Sequence, residues 1–122
     1  MELQDYNCVL CNDLVEESLS HLFIHCPFAV SCWNRLQVQV NHQLDSFQNL
    51  EMFRRQLHVP FFTEIIIIMC WTIWKARNGL IFSQVPPSIQ ASKREFRAEF
   101  VLLLLRTKKK IPFIESWLNN LV

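Results

Sequence analysis

The chain has 122 residues, half of them hydrophobic and 19% charged, which suits one folded core and excludes both a two-domain protein and a disordered tract. The net charge of +1 rules out a uniformly basic or acidic surface. One glycine, Gly79, is too few for the turns of a sheet protein, so the composition predicts a mainly α fold.

The opening segment, "CVLCNDLVEESLSHLFIHC", holds three of the five cysteines and two of the four histidines. Five is an odd number, and "MELQDYNC" has neither the basic nor the apolar part of a secretory signal. The cysteines are therefore expected to be reduced, in an intracellular protein of nucleus or cytoplasm that is not secreted. Their spacing is Cys8-x2-Cys11-x9-His21-x4-Cys26. A C-x2-C pair closes a tight knuckle with both thiolates on one ion, and a second pair from a following helix completes a Cys3His shell that suits Zn2+. Such a closed shell is structural and not catalytic. On a regular helix, side chains five apart diverge by about 140°, so His25 competes with Cys26 as fourth ligand. Pro27 favours Cys26, because the residue before a proline is pushed out of the helical region and can turn back. Cys32, beside Trp33, reads as a core cysteine.

Pro27 suits the first turn of a helix, "PFAVSCWNRL". "SFQNLEMFRRQLH" (46–58) reads as another, with Ser46 as its cap. "IIIIMCWTIW" (65–74) is too short to span a membrane, and Glu64 and Lys75 bracket it. It also fits a buried strand, but it runs without a turn signal into "KARNGLIF", and a segment over 61–82 is too long for one. A helix is predicted there, with Phe61, Ile65, Ile68, Trp71 or Thr72, Lys75, Asn78 and Phe82 along one face. Trp71 and Trp74 are expected in the core, with Lys75 and Arg77 reaching to water.

After Pro86 and Pro87, Ser88 caps a helix over 88–107 whose apolar face is Ile89, Phe96, Phe100, Leu103 and Leu104. Pro112 ends it, and "FIESWLNNLV" forms a short last helix. The result is an N-terminal zinc knuckle and helix (1–40) and a helical remainder (41–122), packed as one domain of four to five helices after the knuckle. Charge is uneven along this order. Residues 1–36 carry five acids against Arg35 alone, whereas residues 75–110 carry nine bases against Glu95 and Glu99. Lys93, Arg94, Arg97, Lys108, Lys109 and Lys110 are thus the candidate contacts to RNA or DNA backbone.

"CVLCNDLVEESLSHLFIHCPFAVSCW" resembles the zinc-binding domain found C-terminal to the polymerase in plant LINE-type (non-LTR) retrotransposon reverse transcriptases. The matching residues are Cys8, Cys11, Glu16, Glu17, His21, Leu22, Phe23, Cys26, Pro27, Phe28 and Trp33. "WTIWKARNGLIF" is similar to the helix that often follows that domain, at Trp71, Ile73, Trp74, Lys75, Arg77, Asn78 and Phe82. The resemblance covers roughly residues 6–82 and implies a noncatalytic zinc-binding domain associated with nucleic acid. The aromatic helix that precedes the first cysteine in the family is missing, as are the polymerase and ribonuclease H regions, so it implies a truncated or domesticated form. No enzyme is expected from the residues either. The aspartates Asp5, Asp13 and Asp45 form no adjacent pair for a two-metal site, and one glycine makes no phosphate loop. The competing readings are a helical protein-interaction module, whose basic face is only solvated, and a non-functional retroelement fragment.

Overall fold

The computed structural model describes residues 7–11, 15–106 and 116–119, without the side chains of residues 104 and 105. Lys108, Lys109, Lys110, Pro112 and the expected contribution of Leu104 lie outside the described residues. The fold is mainly helical. A single π-helical turn, His21–His25, leads into α1 (Pro27–Arg35), α2 (Ser46–Leu57), α3 (Phe62–Ser83) and α4 (Ile89–Arg106). Residues 116–119 form a last helical turn. Among the described residues there is no strand beyond an isolated antiparallel bridge between Asn7 and Glu16.

Each helix start has a local cause. Pro27 occupies the first position of α1, where the missing N–H is no loss. At α2 the cap is Asp45 and not the expected Ser46. The Asp45 carboxylate accepts from the Gln48 N–H at 2.8 Å, while the Gln48 side chain accepts from the Asp45 N–H at 3.1 Å. This reciprocal pair satisfies two backbone donors, and Ser46 is left to bond the Ser20 hydroxyl. Ser88 caps α4 as expected, its hydroxyl accepting from the Ala91 N–H at 3.2 Å.

The core forms where α1, α3 and α4 pack on one another. Trp33 of α1 is fully buried, and its ring lies 4.8 Å from that of Phe53, which anchors α2. A second aromatic group joins Phe61, Phe96, Phe100 and Trp117, with Trp117 5.5 Å from Phe100. The buried seam of α3 is Phe61, Ile65, Met69, Thr72 and Ile73. Of the two candidates for its fourth position, Thr72 is inside, whereas Trp71, expected in the core, is 49% exposed, and Phe82 at the end of that face is 76% exposed. Thr72, Ala76 and Gly79 line an open cleft between α3 and α4 together with Ala91 and Ser92. The Thr72 hydroxyl is satisfied by the Ile68 carbonyl at 2.8 Å.

Helix α3 runs for 22 residues with a window of mean hydropathy 1.4, and is thus long and apolar enough by composition to cross a membrane. The run 65–74 alone is too short to span, but the helix that contains it, expected over 61–82, reaches the length. Here it is a packed helix whose two bases are paired and not merely solvated: Lys75 bonds Glu95 and lies 3.4 Å from Glu99 on α4, and Arg77 meets Glu17.

Burial pushes the Cys32 thiol up to about 12 and Cys70 to about 11. The folded state therefore keeps these protons to higher pH than the unfolded chain. Their stabilising effect is complete below the ordinary thiol range and is lost as pH rises toward the folded values. Urea unfolding should show the protein weakened by about 1–2 kcal/mol per buried thiol between neutral pH and about pH 10. Cys32→Ala should show a smaller alkaline loss than the parent chain.

Candidate metal centre

Cys8, Cys11, His21 and Cys26 come together, their ligand atoms all within 4.8 Å of one another. The knuckle is closed by the backbone: the Cys8 N–H donates to the Val15 carbonyl at 2.8 Å, and the Asn7–Glu16 bridge holds the two arms. The tight turn at Val9 and Leu10 returns the chain so that Cys11 and Cys8 face the same side, Cys8 being 4% exposed.

The second pair comes from the π turn. The Cys26 N–H donates to the His21 carbonyl at 2.6 Å, an i→i+5 bond that takes one more residue per turn than an α-helix. The residue lying over His21 is therefore Cys26 and not His25. Cys26 itself has φ −59° and ψ 136°, outside the helical region, as a residue preceding proline should be. Widened turn and pre-proline break act together. His25 points elsewhere, its Nδ1 3.1 Å from Nδ1 of His42.

The π turn leaves a backbone acceptor to be satisfied. In an α-helix the Phe23 carbonyl would take the N–H four residues on, which is Pro27 and has none. The Trp33 indole supplies the donor, Nε1 reaching that carbonyl at 2.7 Å from a fully buried ring. The Ser18 hydroxyl accepts from the His21 N–H at 3.0 Å and steadies the start of the turn.

Two of the distances between the ligand atoms match the edges of a metal tetrahedron. Metal–sulfur bonds of about 2.3 Å and metal–nitrogen bonds of about 2.0 Å give edges of about 3.8 Å for sulfur–sulfur and about 3.5 Å for sulfur–nitrogen. Cys8 Sγ and Cys26 Sγ are 3.8 Å apart, and Cys11 Sγ is 3.4 Å from His21 Nε2. The sulfur pair is far too distant for a disulfide, and all five cysteines are free. Burial raises the Cys8 thiol, and it pushes Cys26 up to about 12. Both are neutral thiols until a cation displaces their protons, so an ion held here is bound more tightly as pH rises. Cys32 and Cys70 stay outside the cluster.

An unanticipated connection ties this centre to α3. Glu17, just before the π turn, accepts from Arg77 at 2.8 Å, with side chains only 19% and 16% exposed. The Arg77 guanidinium lies 4.8 Å from the Trp74 ring centre, and Trp74 is 6.5 Å from Phe23. The two sequence blocks thus meet across sixty residues. No local signal pointed to it, since Glu17 lies beside Glu16 and Ser18 in a polar stretch and its partner is sixty residues away.

The basic candidates are divided. Lys93 is half-buried on α4 and shares a small apolar cleft with Arg35 of α1, while Arg94 is exposed. Arg97 donates to the Leu118 carbonyl at 3.2 Å and to Asn119 Oδ1 at 3.1 Å, so it holds the last helical turn against α4. No family model, curated protein or solved structure matches the chain.

Replacing Trp33 by Phe keeps a buried ring and removes the indole donor from the Phe23 carbonyl. Urea unfolding should show a loss of about 1–3 kcal/mol, the cost of leaving a buried acceptor unsatisfied. A loss within error of zero would mean that the indole does not support the π turn.

Proposed function

We propose that the chain is a noncatalytic zinc-binding module of the kind found in plant LINE-type reverse transcriptases, and that it associates with RNA or DNA through the basic surface of α4. The observation that carries this reading is the convergence of Cys8, Cys11, His21 and Cys26, with ligand atoms within 4.8 Å of one another and two of the separations at tetrahedral length. Three thiolates and one imidazole suit zinc by ligand softness and geometry, and four protein ligands make a closed, structural site. The Glu17–Arg77 pair supports treating the two motif blocks as one unit. Zinc would supply charge for the three thiolates and hold the knuckle on α1; the residues themselves orient the ligands and bury them.

A second reading is a protein-interaction module. It is favoured by apolar side chains left exposed on α3 and α4: Ile67 at 61%, Trp71 at 49% and Leu102 at 48%. Salt separates the two. Binding to phosphates weakens steeply as salt rises, whereas apolar association does not.

Purified protein should carry one zinc per chain, absent from Cys26→Ser and kept in His25→Ala. Removing it with a chelator should abolish amide protection over residues 8–26, since structural zinc contributes on the order of 10 kcal/mol to folding in small modules. Protein without stoichiometric metal would sink the reading.

Charge reversal at Lys93 and Arg94 should weaken binding to single-stranded RNA or DNA in a gel-shift titration. It should flatten the salt dependence by roughly one unit of slope for each phosphate that is no longer neutralised, with zinc content unchanged. Arg97 is unsuited to this test because its reversal would also release the 116–119 turn.

A further inference from the structure

We propose that His25 and His42 form a second, open metal site, a two-imidazole chelate for a divalent first-row transition ion such as Ni2+, Cu2+ or Zn2+. The proposal stands apart from the four-residue cluster and does not depend on it for ligands. His25 belongs to the π turn and His42 to the loop between α1 and α2, and their Nδ1 atoms face each other at 3.1 Å. Metal–nitrogen bonds of about 2.0–2.1 Å put two imidazole nitrogens about 2.9 Å apart at a right angle and about 3.3 Å apart at the tetrahedral angle. The observed separation lies between them. An ion can therefore take both nitrogens with little rearrangement, in place of the one proton that now joins the rings. Imidazole is the ligand shared by zinc, copper and nickel sites.

The pair is held from both sides. On the His42 side, fully buried Asn49 pins the loop: its Oδ1 accepts from the Asn41 N–H at 2.8 Å, and its Nδ2 donates to the carbonyls of Asn41, Leu44 and Asp45 at 3.0–3.2 Å. On the His25 side, the π turn is fixed by the Cys26–His21 bond and the Trp33–Phe23 bond. Hydroxyls of Ser20 and Ser46 bond each other and tie the two segments together. Fixed ligands lose little freedom on binding, which favours chelation. His42 is exposed, so the remaining coordination positions face solvent and are open to water or to a donor atom brought by a partner.

The test is calorimetric titration of the protein, as purified with its own metal, with NiCl2. Zinc is measured before and after, and broadening of histidine ring signals is followed by NMR. One Ni2+ per chain is expected, broadening His25 and His42 and leaving His58 sharp, with zinc content unchanged. His42→Ala alters only an exposed loop side chain and should abolish that equivalent; His58→Ala should keep it. Nickel uptake that is undiminished in His42→Ala, that occurs only with loss of zinc, or that is absent from the parent protein would overturn the proposal. Purified protein lacking zinc would defeat the reading of the knuckle and would leave this result readable, because the His42→Ala comparison does not involve the cysteines.

Discussion

One hydrogen bond, from the Cys26 N–H to the His21 carbonyl, sets the geometry on which the rest of the N-terminal half depends. An α-helical bond at that place would have stacked His25 over His21 and sent Cys26 to the far side. Pro27 makes the wider turn favourable by withholding the N–H that an α-helical bond to Phe23 would need. The same absence leaves the Phe23 carbonyl without its helical partner, and Trp33 fills that need from the centre of the core. The choice between Cys26 and His25 is thus linked, by two backbone acceptors and one indole, to the fully buried Trp33 of α1.

From there the structure is joined by polar links laid over apolar packing. Glu17 reaches Arg77, which stacks on Trp74, which approaches Phe23 of the π turn. Two positions before Arg77 along α3, Lys75 takes Glu95 and Glu99 of α4. Lys75 is half-exposed: burial disfavours its charged form, the two carboxylates more than offset this, and its affinity for the proton is raised. Exposed pairs of this kind add little stability. Their effect is on register, because each fixes which turn of one helix faces which turn of the next.

Much of this was legible in the sequence. The C-x2-C pair, the H-x4-C pair and Pro27 contain the information for the four-residue cluster, because ligand chemistry and the pre-proline rule are local. The helices were legible for the same reason. What escaped was set by context. The π turn is a compromise between Pro27 and Trp33 that no periodicity rule describes. The choice of Thr72 over Trp71 needed the partner helix, since a 3.6-residue period admits either. Asp45 outcompeted Ser46 as cap because Gln48 reciprocates from three residues on, a signal that was present and local. The destinations of Arg77 and Arg97 were invisible, as each bonds a group more than twenty residues away.

The fate of the bases narrows what α4 can offer a polyanion. Counting sequence alone makes α4 a basic helix, but Glu95 and Glu99 are drawn to Lys75 and Arg97 is turned toward the last helical turn. Lys93 and Arg94 remain on the outer part of the helix, and Arg35 of α1 lies beside Lys93 along one cleft. The bases left to α4 are thus Lys93, on the cleft where α1 and α4 meet, exposed Arg94 beside it, and exposed Arg106 at the far end. Since α1 starts at Pro27, immediately after Cys26, the four-residue cluster sits at the start of one wall of that junction. On the proposed reading this is how a closed metal site, with no open position for chemistry, still bears on binding: it orients α1, and α1 brings Arg35 to Lys93.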